Sequence, residues 1–352
     1  MSVACVIDVA GPVLTVQERR LFAARDPWAF ILFGRSCETP AQLRALCEDL
    51  RDSVGRACLI FIDQEGGRVQ RLAPPVWPRL PALSFYGRLW QDNPAHAFEA
   101  CQLHHQIMGQ MLIDVGINAN CAPCLDLRLD GASSAIGDRA LSADPYCVAE
   151  LGHAGLLGLQ VAGVAGVLKH MPGQGRAVLD SHEALPSIAA SREVLEQDLV
   201  PFRANQSAPM GMIGHVVFDA IDPHAPASQS APVVQNWIRE VMGFDGLLMT
   251  DDLTMKALDQ PDAVKAARVF HAGIDIAMRC HGTLEERDAF LQMCPTLVGP
   301  SLARAQRAAA YAPKPTVALD LDDLWGRFTE LTGWEKSVTL SISPDPTRKA
   351  WA

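Results

Sequence analysis

The sequence predicts an α/β protein built as a single-domain (β/α)8 TIM-type barrel. Short apolar runs recur eight times along the chain, segments with helical spacing separate them, and most runs end directly before a charged residue. Apolar strands alternating with longer amphipathic helices indicate a parallel sheet. Eight such units in roughly 250–300 residues fit a closed barrel better than an open sheet.

The strands are expected at Val3–Val9, Ala29–Phe33, Cys58–Ile62, Ile117–Leu125, Val164–Leu168, Met210–Val217, Leu247–Thr250 and Ile274–Met278. Apolar residues at helical intervals predict helices over Ala41–Leu50, Ala95–Ile113, Val148–Leu159 and Arg192–Arg203. Arg35, Asp63, Asp126, Lys169 with His170, Asp219, Asp251 and Arg279 follow runs two to eight in turn. Barrel enzymes collect their chemistry at the C-terminal ends of the strands, so this set reads as a lined pocket. Strands must also exit to solvent, which accounts for some of these polar ends. Residues 1–312 are assigned to the barrel and 313–352 to a C-terminal extension. Ala312–Pro315 breaks the last helix and Pro344–Ala352 reads as a loose tail.

Composition narrows the function. A formal net charge of -10 opposes unspecific nucleic-acid binding, which needs a basic face. The N-terminal MSVACVIDVAGPV lacks the features of a secretion signal, and no apolar run approaches the ~18 residues of a membrane helix. A cytoplasmic location is expected, with no nucleic-acid or membrane partner. The ten scattered cysteines fit reduced thiols. Cys121 and Cys124 have C-x-x-C spacing but lie in a strand-like run with no second pair, so they read as small apolar side chains. No metal or cofactor is expected.

The chemistry concentrates in KHMPGQGRAVLDSHEALP, residues 169–186. In an extended loop, residues two apart project to one side, which lets Asp180 hydrogen-bond His182. Such a contact fixes the imidazole and favours its protonated form, as a general acid/base requires. The three residues alone read equally as a turn cap beside an exposed histidine; the surrounding Pro/Gly loop favours the dyad. Of Asp251 and Asp252, one carboxylate is expected to face the pocket and the other to cap a helix starting near Thr254. Two caps would be the plain reading of an isolated pair. Asp63–Arg71, DQEGGRVQR, offers donors and acceptors around a tight glycine turn and lacks the Lys-Ser/Thr ending of a P-loop. Ile136–Arg139 is a second loop of this type. Lys169 and His170 suit sugar hydroxyls, a Schiff base or the neighbourhood of a metal.

At these residues the chain resembles the bacterial β-N-acetylglucosaminidases of glycoside hydrolase family 3. The matching motifs are DQEGGRVQR (63–71), NANCAPCLDL (118–127), IGDR (136–139), KHMPGQGRAVLDSH (169–182), MIGHVVF (212–218), GFDGLLMTDDLTMKAL (243–258) and AGIDIAM (272–278). The resemblance implies a retaining exo-enzyme that removes terminal β-linked N-acetylglucosamine, typically from muropeptides during peptidoglycan recycling. It implies Asp251 as nucleophile, His182 as acid/base and Asp180 as its partner. Asp63, Arg71, Arg139, Lys169 and His170 align with sugar-binding positions. Gln174 stands where the family's second loop histidine is usual, and Ala140-Leu141-Ser142 replaces its aromatic-glycine step after IGDR. Three rival readings are a Lys169-dependent aldolase, a metal hydrolase using His170, His182, His215 and Asp251, and a catalytically silent muropeptide-binding protein.

Overall fold

The computed structural model describes residues 1–311 and 319–337. Eight parallel strands close into a barrel: β1 (Val3–Asp8), β2 (Pro27–Leu32), β3 (Ile60–Ile62), β4 (Ala119–Asn120), β5 (Ala165–Met171), β6 (Met210–Ile213), β7 (Leu247–Asp252) and β8 (Ile276–Arg279), with β8 pairing back to β1. The barrel expected from the sequence is therefore present.

Period-2 alternation sorts the side chains into two cores. Val6, Ala29, Ile31, Phe61, Val167, Met212, Met249 and Met278 fill the interior. Ile7, Phe30, Leu32, Ile60, Ile62, Leu168 and Leu248 face outward into the layer beneath the helices. Around the barrel run α1 (Val16–Arg25), α2 (Pro40–Val54), α3 (Ser84–Asp92), α4 (Pro94–Ile113), α5 (Pro145–Val161), α6 (Arg192–Ala204), a π-helix (Pro232–Val241), α7 (Asp262–Ala272), α8 (Leu284–Met293) and α9 (Gly299–Ala310). Leu297, Ala305 and Ala308 join Trp28 and Leu59 in the interior cluster, at the end where the strands begin. That end is plugged, so the opposite mouth is the open one.

Several boundaries differ from the sequence expectation. The run Met210–Val217 is not one strand: β6 stops at Ile213, and Val217–Phe218 joins a separate three-stranded sheet with Ser187–Ile188 and Asp222–Pro226. The run Ile117–Leu125 yields a strand of two residues, because Pro123 offers no N–H and the chain continues only as an isolated bridge from Cys124 to Lys169. β5 runs three residues past the expected Leu168, carrying Lys169 and His170 within the strand. No helix begins near Thr254; the chain makes turns there, and α7 starts at Asp262.

A tenth helix, α10 (Leu321–Thr332), lies in the expected C-terminal extension and buries Leu324, Trp325 and Phe328 in the outer core. The break at Ala312–Pro315 and the tail from Pro344 fall outside the described residues. No helix among the described residues is long and apolar enough to cross a membrane.

Candidate active site

The open mouth holds a pocket lined by all eight residues singled out from the sequence: Asp63, Arg71, Arg139, Lys169, His170, Asp180, His182 and Asp251. Glu65, Gln174, Ser181, Asp252 and His281 add to its polar lining, and Ile31, Met212 and Met278 rise from the barrel interior to form its floor.

The first wall follows β3. Gln64–Gly66 pairs antiparallel with Val69–Gln70, and the turn between them needs Gly66 and Gly67 at φ +90 and +58. The Gln64 carboxamide oxygen accepts from the Arg71 and Leu72 N–H groups at 2.9 and 3.0 Å, fixing the hairpin base. This geometry directs Asp63, Glu65 and Arg71 at the pocket. Lys169, only 2% exposed, donates to Asp63 at 3.0 Å and lies 2.6 Å from Glu65. Arg139, on the short 3-10 turn Gly137–Arg139, grips Glu65 through two bonds of 2.9 Å. Arg71 pairs with Asp63 at 3.3 Å.

The mutual neutralisation explains how so many charges stay buried. Burial would push Glu65 up, yet Arg139 and Lys169 hold it down to about 2. Burial likewise opposes the ionised Asp63, which Lys169 and Arg71 keep well below the usual carboxylate range. Lys169 is driven upward: burial lowers it, but Asp63 and Glu65 more than compensate.

The second wall is β5. Its register against β6 shifts between Lys169 and Met171, and the Lys169–His170 peptide is cis. Both neighbouring side chains line the pocket. His170 donates from Nδ1 to Asp126 at 2.6 Å and presents Nε2 to Asp251 at 4.0 Å. Asp126 also accepts from the Gln174 N–H at 2.7 Å, so it ties the loop to the histidine from behind. Among the described residues, Cys124, Asp126 and His170 form the one group able to hold a metal ion, with ligand atoms within 4.8 Å of one another. The rival set of His170, His182, His215 and Asp251 forms no such group there. All ten cysteines are free thiols.

The third wall is the loop after β5. Asp180 accepts both the Nδ1–H and the backbone N–H of His182, at 2.8 and 2.9 Å. Burial lowers the imidazole pKa, but the Asp180 hydrogen bond and the charge of Asp251 raise it above the ordinary value. Opposite, Asp251 closes β7 with its side chain 20% exposed. Burial would raise its pKa; His170, His215 and His182 together hold it below normal, so it stays ionised.

Asp252 departs from the expectation that only one of the pair faces the pocket, since it lines the wall as well. The β7–β8 register shifts between Met249 and Asp252, which breaks the simple alternation. Its carboxylate is engaged by Thr254 N–H, Thr254 Oγ1 and Cys280 N–H at 2.9, 2.6 and 3.0 Å, capping a turn where a helix was expected. Burial pushes it up to about 6.

Not every strand-end residue reaches the site. Arg35 pairs with Asp8, Asp219 accepts from Ser187, and Arg279 pairs with Asp262. Glu65 and Asp126 are the functional partners that sequence reading left unassigned. Glu65 stood in the quoted motif and Asp126 at a strand end, but nothing in one dimension tells which acid a lysine or histidine will meet.

Residues 18–301 match the N-terminal domain of glycosyl hydrolase family 3. A beta-hexosaminidase of Thiobacillus denitrificans is 35% identical over 318 residues, covering 88% of each chain. One from Alkalilimnicola ehrlichii is 34% identical over 345 residues, 97% of this chain and 96% of the other. NagZ of Neisseria gonorrhoeae, solved in complex with N-trifluoroacetyl-D-glucosamine, superposes with a TM-score of 0.83 at 28% identity, covering 94% and 96% of the two chains. With likeness of this extent in both sequence and fold, the chain belongs to glycosyl hydrolase family 3 and is a glycoside hydrolase.

Proposed function

We propose that the protein is a retaining exo-β-N-acetylglucosaminidase that releases terminal β-linked N-acetylglucosamine, with muropeptides of cytoplasmic peptidoglycan recycling as its natural substrates. The observation that carries this reading is the convergence of an ionised Asp251 and the Asp180–His182 pair on one pocket whose other walls are charged hydrogen-bonding groups. The beta-hexosaminidase names of the relatives, and the glucosamine derivative bound by the gonococcal NagZ, support the hexosamine.

In this mechanism Asp251 attacks the anomeric carbon while His182, protonated, gives its proton to the departing glycosidic oxygen. The aglycone leaves and a glycosyl ester of Asp251 remains. His182, now neutral, takes a proton from water as that water attacks the anomeric carbon and the Asp251 carboxylate leaves. The sugar departs with its original configuration and both residues return to their starting states. Splitting one displacement into two lowers each barrier. Retaining enzymes usually pair two carboxylates; here a histidine steered by Asp180 fills the second role. Asp63, Arg71, Arg139, Lys169 and His170 are assigned to the sugar hydroxyls.

The aldolase reading loses support from Lys169, since a Schiff-base lysine must shed its proton and this amine is held charged by Asp63 and Glu65. The test is trapping with a 5-fluoro N-acetylglucosaminyl substrate followed by peptide mass spectrometry. An ester on Asp251 is expected, and Asp251→Ala should abolish release of an aryl N-acetylglucosaminide. An ester on another residue, or unchanged turnover in that variant, would overturn the assignment.

A further inference from the structure

Arg79 carries a cation with no anion to meet it. The residue is 9% exposed, its Nε is buried without a hydrogen-bond partner, and no ion pair among the described residues includes it. Its backbone N–H, by contrast, is satisfied by the Ser337 carbonyl at 2.8 Å. An arginine does not escape burial by losing its proton, so a side chain this buried, its Nε unpaired among the described residues, is costly unless an anion completes it.

The surroundings indicate what that partner is. Arg79 lines a groove that shares no lining residue with the substrate pocket, together with Arg68, Arg88 and Arg128. Among the described residues the single acid lining it, Asp138, is engaged by Arg68 at 2.9 Å. Phe85 and Trp334 form an aromatic wall with ring centroids 5.7 Å apart. The Trp334 indole N–H is a second buried donor without an acceptor. The first residues of α3, Ser84 and Phe85, also line it, with the Phe85 and Tyr86 N–H groups met by the Ala82 and Leu83 carbonyls at 3.0 Å. Every unmet group is therefore a donor or a cation, in a chain whose net charge is -10. Guanidinium forks match the paired oxygens of phosphate and carboxylate groups.

We propose that this groove is a second binding site, separate from the substrate pocket, for a small molecule bearing a phosphate or carboxylate oxyanion seated on Arg79. Arg88 and Arg128 form its exposed cationic rim, and the Phe85–Trp334 wall contacts the apolar part of the ligand.

Thermal unfolding of the full chain in inorganic phosphate, in succinate and in chloride of matched ionic strength tests this. Wild type should gain about 2–5 °C in Tm with at least one of the two oxyanions at saturation, and the effective anion identifies the chemistry. Arg79→Met should lose that gain while melting no lower than wild type in chloride, because it removes an unpaired charge. Arg128→Ala, an exposed change, should fold normally and show a smaller gain; it decides the matter if Arg79→Met fails to fold. No gain in wild type with either anion overturns the proposal. So does an undiminished gain in both variants, which would place the anion elsewhere, the substrate pocket included.

Discussion

At the scale of single residues, the site is organised by acids that position bases. Asp180 raises the His182 pKa by accepting its Nδ1–H, against a burial effect that lowers it. In the proposed role as acid of the first step, His182 must be protonated, so its ionisation should set the basic limb of the kcat/KM profile. Asp180→Asn substitutes a neutral amide, leaves burial in place, and should move that limb to lower pH. A limb that stays where it is in wild type would remove Asp180 from this role. His182→Ala should cost roughly 10²–10⁴-fold on poor leaving groups and far less on activated aryl glycosides; equal losses on both would contradict proton donation. Glu65 plays the corresponding part on the wall proposed to hold the sugar, where Arg139 and Lys169 both contact it. Glu65→Gln should raise KM more than it lowers kcat, and should lower stability by about 3 kcal/mol in urea titrations because Arg139 loses its paired carboxylate and Lys169 one of its two. The sequence made Asp63, Lys169, Asp180, His182 and Asp251 legible because each ends or follows an apolar run in a conspicuously polar segment. Glu65 and Asp126 were not legible as partners, since their importance lies in contacts spanning 104 and 44 positions, Glu65 to Lys169 and Asp126 to His170.

At the scale of elements, strand positions were readable and strand ends were not. A buried parallel strand needs a run of apolar residues, and each of the eight runs supplied one. Where such a run stops hydrogen bonding depends on its neighbours, so Met210–Val217 split between two sheets and β5 extended into its own polar residues. The helix expected at Thr254 failed for a local reason. Thr254 satisfies the Asp252 carboxylate with two bonds, and the following residues turn instead of coiling before α7 begins at Asp262. Close approach between elements was also invisible in the sequence. A Cβ on Gly87 of α3 would sit 1.7 Å from the Leu141 carbonyl oxygen, in the segment directly after Arg139 and Ala140. That contact is backbone against helix and has no flexible side chain to yield. Gly87→Ala should therefore cost about 1–3 kcal/mol or more and displace the loop bearing Arg139, so activity should fall together with the urea midpoint. A variant of wild-type stability and activity would show that α3 and this loop are not locked together.

At the scale of the whole molecule, the response to acid follows from histidines buried neutral beside the site. His104 and His105 of α4 are both fully buried, with ring centroids 4.8 Å apart and neither Nε2 partnered. His104 Nδ1 meets the Tyr86 hydroxyl at 2.6 Å, and His105 Nδ1–H donates to the Cys101 carbonyl at 2.8 Å. Burial pushes His105 down to about 4 and His104 well below its ordinary value, where His105 adds a further downward push. The sign of the stability effect follows directly. Below the unfolded histidine pKa of ~6.5 the unfolded chain binds protons that the folded chain refuses, so stability falls with pH. For His105 the loss accumulates from about 6.5 down to about 4 and then stops, amounting to something on the order of 3 kcal/mol. Asp252 works the other way: its carboxyl, raised to about 6, takes up a proton in the folded state first and offsets part of the loss below that pH. Only under more acid conditions does the Glu65 network contribute, its stabilisation disappearing as pH falls from the usual carboxylate range toward about 2. The histidine term can be isolated with His105→Gln, which stays neutral at every pH. Urea unfolding between pH 7 and 4.5 should show the variant less stable than wild type near neutrality, with a shallower loss on acidification, the two slopes differing by up to ~1.4 kcal/mol per pH unit. Parallel curves would mean that His105 titrates alike in both states. The consequence reaches the site because a Cβ on Gly66 would lie 2.9 Å from the His104 ring. Because that ring takes up its proton only as the chain opens, the hairpin carrying Asp63, Glu65 and Arg71 should be lost together with the fold, and wild-type activity should fade over the same acid range as the urea midpoint.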